Sequence, residues 1–334
     1  MLLGALFFHQ GIHADKEALK YIGCAEAVLQ GDLTDLTGNY LKYAGYVAFL
    51  LPFVAIGEPL LAVLAQVVLG IIAARALGRL TARISGSASL GDLSMALFLL
   101  CPLIQTWTLA LYTEHFFLCL SVLFLEQIER TTWNHPNTVV MGLFVLTTRP
   151  VGVLFVVPAL LWKWSASRPT VIRNSFLVIG TAMLLAGALS IPRIARPQLE
   201  PIASGQVVAG VGGTDATGFD GRTILDAQRF LLGRTSLGEW SMITLQRMAS
   251  LFTLTRPYFS TEHNAVNGLF YALYPLALVG LWRSRHDDRI HLLIVVLLLN
   301  AFLAGLTHDE WSGRFIVPLI PHLIVLACSA FARR

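Results

Sequence analysis

Apolar residues run along this chain in stretches of about 15 to 20, separated by short charged clusters, a pattern that predicts helices surrounded by lipid rather than by water. The runs fall near residues 1–12, 60–78, 91–109, 114–129, 138–148, 151–164, 175–191, 265–282, 290–306 and 314–331. The expected fold is therefore all-α, a polytopic membrane bundle of about ten transmembrane helices. Twelve helical residues cover only about 18 Å of a hydrocarbon core roughly 30 Å thick, so 1–12 reads as a first span whose start is truncated or misassigned, in preference to a short interfacial segment. The pair of runs around Arg149-Pro150 is short on both sides, and proline disfavours helix at the residue before it. One broken helix and two short ones both fit.

Residues 43–56 are apolar and aromatic but stop at Gly57-Glu58-Pro59. They read as a helix lying in the membrane interface, with Tyr40, Tyr43 and Tyr46 at headgroup level. Residues 192–264 make the long polar stretch of the chain, glycine-rich over 205–221 and helical in pattern over 223–254. The expected organisation is an N-terminal transmembrane module over 1–191, with a first outer loop at 13–42 and the interfacial helix at 43–57. An extracytoplasmic loop region over 192–264 and C-terminal transmembrane helices over 265–334 follow. Gly210-Val211-Gly212-Gly213 neither follows a strand nor opens a clear helix, so it lacks the context of a nucleotide-phosphate loop and reads as a flexible segment.

Composition agrees with the pattern. Of 334 residues 55% are hydrophobic and 13% charged, against roughly a quarter charged in an ordinary soluble domain. Such a chain could not cover itself with polar surface. The net charge of +4 comes with no basic stripe interleaved with aromatics, so nucleic acid is not an expected partner. The cysteines, Cys24, Cys101, Cys119 and Cys328, share no metal-type spacing and are expected to be free thiols.

Charge also orients the bundle. When loops alternate sides, one side collects Arg75, Arg79, Arg83, Arg130, Lys163, Arg168, Arg173, Arg283, Arg285, Arg289, Arg333 and Arg334, against the acids Asp92, Glu126, Glu129, Asp287 and Asp288. That side is expected to be cytoplasmic. The other side takes the remaining 15 of the 20 acids (20 − 5). Positive-inside bias by itself would leave acids there.

Four features on the acidic side invite chemistry. The loop beginning His13-Ala14-Asp15-Lys16-Glu17 holds carboxylates at the water–lipid boundary, suited to a general base or to a divalent cation near phosphate. A solvated helix start would look the same. Glu114 and His115 occupy the tight turn Tyr112-Thr113-Glu114-His115 at a membrane edge, where a charge is costly unless paired or used. Arg149 sits between two apolar runs with no neighbouring acid, and either a lipid phosphate or an acid on another helix could answer it. Finally His308, Asp309, Glu310 and Arg314 crowd into seven residues before the last run. They suit an anionic headgroup, with Arg314 on phosphate and the carboxylates on a sugar or metal, although a solvated loop shares that composition.

In this order and on one face, the four features resemble the GT-C superfamily of glycosyltransferases that use polyprenyl-phosphate-linked sugars, including its mannosyltransferases and aminoarabinose transferases. The resemblance covers most of the chain. It rests on Asp15, Tyr21, Ala25, Ala27 and Gly31 after the first span, on Tyr112 to Glu114, on Thr148-Arg149-Pro150 with Gly152, and on His308, Glu310, Arg314, Phe315, Pro318 and Pro321. Where the family usually has paired acids, Lys16 stands between Asp15 and Glu17, leaving both as candidates.

The resemblance implies an inverting transfer of sugar from a polyprenyl-phosphate donor to a lipid, glycan or protein hydroxyl. The chain would be a multi-pass protein of a bacterial inner or plasma membrane, with its active site on the non-cytoplasmic face. Asp15, Glu17 and Glu114 would be catalytic. Tyr21, His115, Arg149, His308, Asp309, Glu310 and Arg314 would bind substrate. A divalent cation, Mg or Mn, is the cofactor to consider, with Asp15 and Glu114 as candidate ligands. The competing expectation is a transporter or lipid-translocating protein, in which intramembrane charges would line a pathway.

Overall fold

The computed structural model describes residues 2–38, 40–166, 175, 179–180, 183–184, 186–187, 189–190, 194, 196–310 and 312–332. Every regular element among them is helical. In chain order α1 (Leu2–Gln10), α2 (Glu17–Leu29), α3 (Thr34–Gly38) and α4 (Ala44–Ala55) come first. They are followed by α5 (Leu61–Ser85), α6 (Ala88–Leu100), α7 (Pro102–Thr108) and α8 (Thr113–Arg130). Next are α9 (Pro136–Thr148), α10 (Val153–Trp164), α11 (Arg196–Ala203), α12 (Ile224–Arg234) and α13 (Leu237–Leu251). The last are α14 (Thr261–Leu269), α15 (Leu273–Arg283), α16 (Asp288–Leu306) and α17 (Ile320–Ser329).

Among the described residues three helical stretches are long and apolar enough to cross a membrane: α5, the continuous Thr261–Arg283, and α16. The pair α6 and α7, bent by 57°, makes a fourth if counted as one span. This is fewer than the ten runs of the sequence, for identifiable reasons. Leu41–Ala55, Pro136–Thr148, Pro150–Trp164 and Val317–Ser329 are apolar but short, and prolines lie within or at the ends of each. α1 has nine residues, and α8 carries four charged side chains, Glu114, Glu126, Glu129 and Arg130. Eight of the 17 residues of the run at 175–191 lie outside the described residues.

α8 is the centre of the bundle, with every residue from 113 to 126 buried. Phe117 and Phe124 on α8, Phe155 on α10, Phe98 on α6 and Tyr46 on α4 are fully enclosed. Residues 44–55, expected at the interface, instead send Tyr46, Val47 and Leu50 into this core. Helices approach closely where side chains vanish, as lipid-embedded helices do. A Cβ on Gly91 of α6 would lie 2.6 Å from the Gly78 carbonyl oxygen of α5, and one on Gly280 of α15 only 1.8 Å from the Leu326 oxygen of α17.

One end of the bundle is basic. Glu126, 3% exposed, receives Arg79 at 3.1 Å, Arg83 at 3.3 Å and Arg130 at 3.4 Å, while Arg83 also meets Glu129 at 2.6 Å. Other cations there donate to the carbonyls that helix ends leave open. Arg289 reaches Arg83 O, Lys163 reaches Glu129 O, and Arg283 reaches Ala330 O and Ala332 O. Residues predicted from charge alone to share a side therefore also complement negative helix C-termini.

Residues 196–264 of the polar stretch fold against the opposite end. α12 and α13 each begin with a reciprocal cap, Thr223 with Asp226 and Ser236 with Glu239, which is why the helical pattern over 223–254 divides in two. The fully buried Arg247 of α13 donates to Ile202 O and Gln206 O beyond α11. Gln228 donates to Leu306 O at the end of α16, fastening this layer to the bundle.

Close backbone contact makes a testable demand. Gly280→Ala is expected to destabilise the protein by about 2 kcal/mol through overpacking, whereas Gly268→Ala, whose Cβ meets nothing within 4 Å, leaves stability unchanged or raised. Thermal unfolding of the two variants in the same detergent checks the contrast.

Candidate functional site

At the end of the bundle away from the basic network, residues far apart in sequence line one cavity of about 410 Å³. Its polar wall comprises Glu17, Tyr21, Glu114, Arg149, His308 and Arg314. Its apolar wall is built from Leu199, Ile202, Leu251, Leu303, Ala304 and Phe315. The cavity therefore offers charge on one side and hydrocarbon on the other.

Each charged group is delivered by a local feature of the chain. Glu114 is the second residue of α8, where unpaired N–H groups favour an anion, and it is 1% exposed. Arg149 lies in the break between α9 and α10, extended at φ −151° and ψ 144° as a residue before proline should be. Its Nη1 stands 2.9 Å from Glu114 Oε1. Arg314 enters from the turn before α17, with its Nη1 2.9 Å from Glu17 Oε2 and 3.7 Å from Glu114 Oε1, and its Nε 3.7 Å from Glu310. Burial alone would lower the Arg314 guanidinium, but Glu114, Glu17 and Glu310 outweigh it, and its pKa rises above the ordinary arginine value.

Two donors in this network have no well-formed hydrogen bond: Arg149 Nη1 and Arg314 Nε are buried without an acceptor in line. A buried N–H without a partner costs free energy that an incoming oxygen could recover. Burial, with the neighbouring Tyr43 and Glu17, pushes the Tyr21 phenol up, so it stays a donor. Burial, and beyond it the charge of Arg247, holds the His308 imidazole below its ordinary value and neutral at pH 7.

Lys16 separates the two acids of the first loop. It has φ 46° and ψ −102°, a backbone position that costs a lysine about 1–3 kcal/mol. Asp15 and Glu17 therefore diverge. Asp15 is exposed at the surface, where it accepts the Tyr112 hydroxyl at 3.1 Å; burial and this bond raise Tyr112 to about 12. Glu17 lines the cavity.

His115 and Asp309 also lie apart from the cavity. The His115 ring is buried in the bundle between Gly70 of α5 and the Cys119 sulfur, 3.6 Å from its Nε2. Asp309 turns away to Arg256, at 2.5 Å, and to the Ser250 hydroxyl, at 2.8 Å. Its backbone bonds to Val207 O and Ala209 N. Asp309 thus anchors the turn from which His308 and Arg314 reach the cavity, Glu310 standing behind Arg314 at 3.7 Å. Glu310 accepts the Ser312 N–H at 2.9 Å and the Ser312 hydroxyl.

Sequence reading did not single out Arg256 or Asn300, and it set Tyr43 at headgroup level rather than in a cavity. Asn300 interrupts the apolar run of α16 and lines the cavity beside Leu303. Arg256 was legible, because Thr255-Arg256-Pro257 repeats Thr148-Arg149-Pro150. Both arginines are mostly buried against a carboxylate from elsewhere in the chain.

Among the described residues no group of three or more His, Cys, Asp or Glu side chains is arranged to hold a metal ion. Of the candidate ligands, Glu114 is engaged by two guanidiniums and Asp15 by Tyr112 at a different place. These residues do not fit a divalent-cation site.

The Arg256–Asp309 pair is 4% and 1% exposed at its side chains, so breaking it strands a charge. Asp309→Asn is expected to cost about 3 kcal/mol or more, while the double replacement Arg256→Met with Asp309→Leu recovers most of the loss. Unfolding in mixed micelles read by circular dichroism checks this, and a double variant no more stable than Asp309→Asn would remove the pair as the determinant. Compared with protein-family models, with curated proteins and with solved structures, the chain has no match.

Proposed function

We propose that the protein is a multi-pass membrane glycosyltransferase that moves a sugar from a polyprenyl-phosphate donor to an acceptor hydroxyl at the non-cytoplasmic surface. In this reading the short apolar helices join the longer ones in crossing the bilayer, and the basic end faces the cytoplasm. The observation that carries it is the pair of cavity arginines, Arg149 and Arg314, gathered on the buried Glu114 beside Glu17 and an apolar wall. A lipid-linked phosphodiester satisfies all of these at once: its oxygens take the guanidinium N–H groups, and its isoprenoid lies along Leu303, Ala304 and Phe315. The resemblance to GT-C enzymes supports the same substrate class.

The chemistry follows from the placement of Glu17. An acceptor hydroxyl oxygen attacks the anomeric carbon as the bond from that carbon to the phosphate oxygen breaks. The polyprenyl phosphate leaves with the bonding electron pair, and the hydroxyl proton passes to the Glu17 carboxylate. Arg149 and Arg314 stabilise the charge that grows on the leaving phosphate. Attack opposite the leaving group inverts the anomeric centre. Glu114 acts through the two arginines, holding them at a shared position.

Removing the base should cost about 100-fold or more in turnover. Glu17→Gln, purified alongside the native protein and supplied with radiolabelled polyprenyl-phosphate sugars, is expected to insert into membranes normally and to lose transfer by that factor, while Asp15→Asn retains transfer within about three-fold. Equal turnover in the native protein and Glu17→Gln would eliminate the assigned base. Failure of the native protein to consume any such donor would eliminate the proposed activity.

A further inference from the structure

The two acids that meet Arg314 are not equivalent. Glu114 is 1% exposed at its side chain and shares Oε1 with Arg149; Glu17 is 37% exposed and contacts Arg314 alone through Oε2. Detaching Glu114 from its cations would strand a buried charge, which is strongly unfavourable. Detaching Glu17 costs little, because water reaches the carboxylate and takes over its solvation. The same guanidinium nitrogen, Arg314 Nη1, serves both, and Nε of that side chain has no hydrogen bond.

Resting on the donor assignment above, we propose that a phosphate entering the cavity competes with Glu17 for Arg314, and that this exchange arms the site. In the empty cavity Glu17 is held as the counter-ion of Arg314, so its oxygen is not free to accept a proton. When phosphate oxygens occupy Nη1 and Nε of Arg314, Glu17 is released toward the water-exposed side from which an acceptor arrives. Glu114 stays in place and keeps Arg149 and Arg314 together throughout. The base is thus free only when donor is bound, which orders the reaction with donor first and keeps an unloaded site from engaging hydroxyls. Lys16, at φ 46°, fixes the start of α2 so that release moves the Glu17 side chain rather than the helix.

Competition has a signature opposite to that of an ordinary binding residue: removing the competing charge tightens the ligand. The probe is farnesyl phosphate, titrated by calorimetry into the full chain in nanodiscs, with inorganic phosphate and farnesol as parallel ligands. Glu17→Gln is expected to bind farnesyl phosphate about ten-fold more tightly than the native protein, equivalent to roughly 1.4 kcal/mol. Glu58→Gln, which removes an exposed acid elsewhere, changes binding less than two-fold, and farnesol does not distinguish Glu17→Gln from native. If native protein and Glu17→Gln bind farnesyl phosphate equally, or the variant binds more weakly, the exchange is refuted while the lipid-phosphate site survives. If inorganic phosphate shows the tightening and farnesyl phosphate does not bind, the exchange stands and the lipid-donor reading falls. Absence of binding by either phosphate overturns both.

Discussion

A helix enclosed on every side cannot carry a bare carboxylate, yet α8 carries one near each end. Glu114 and Glu126 are 1% and 3% exposed, and each draws arginines from other parts of the chain. At one end Arg79 and Arg83 arrive from α5 to join Arg130 of α8 itself; at the other Arg149 and Arg314 arrive from a helix break and a turn. Taking such charges out of water is costly unless they are paired with good geometry. The central helix therefore fixes its neighbours axially, while apolar contacts fix them only laterally.

The two ends meet this constraint differently. At the basic end guanidiniums are answered by Glu126, Glu129 and Asp287 and by helix-terminal carbonyls, so the network reads as structural. At the other end Arg149 and Arg314 share the buried Glu114, and a cavity with an apolar wall opens beside them. The same residue types thus make a closed network at one pole and line a cavity at the other.

Much of this was legible in the sequence, because hydropathy and charge act locally. The break at Arg149-Pro150, the helix over 290–306 and the grouping of basic residues follow from period, proline and charge without knowledge of packing. The all-helical class does too. The roles within 308–314 were less legible. The side chains of His308, Asp309, Glu310 and Arg314 look alike in sequence, but Asp309 serves Arg256 and Glu310 serves Ser312, while His308 and Arg314 line the cavity. That sorting depends on Val207 and Ala209, about a hundred positions away. Likewise His115 follows Glu114 directly, but one helical step of about 100° turns it into the core against Gly70. The separation of Asp15 from Glu17 comes from a backbone angle at Lys16 that no composition rule predicts.

The hairpin of α9 and α10 is shallow. At 13 and 12 residues its arms rise only about 20 Å, against roughly 30 Å of hydrocarbon. A bilayer meeting such a hairpin must thin or dimple beside it, at a cost of fractions of a kcal/mol per ångström of mismatch. The dimple would form at the hairpin's tip, where Arg149 points into the cavity, so solvent can descend to a charged floor without a pore being cut through the protein. On the proposed reading, membrane thickness would act directly on the depth at which a lipid headgroup must sit to reach that floor.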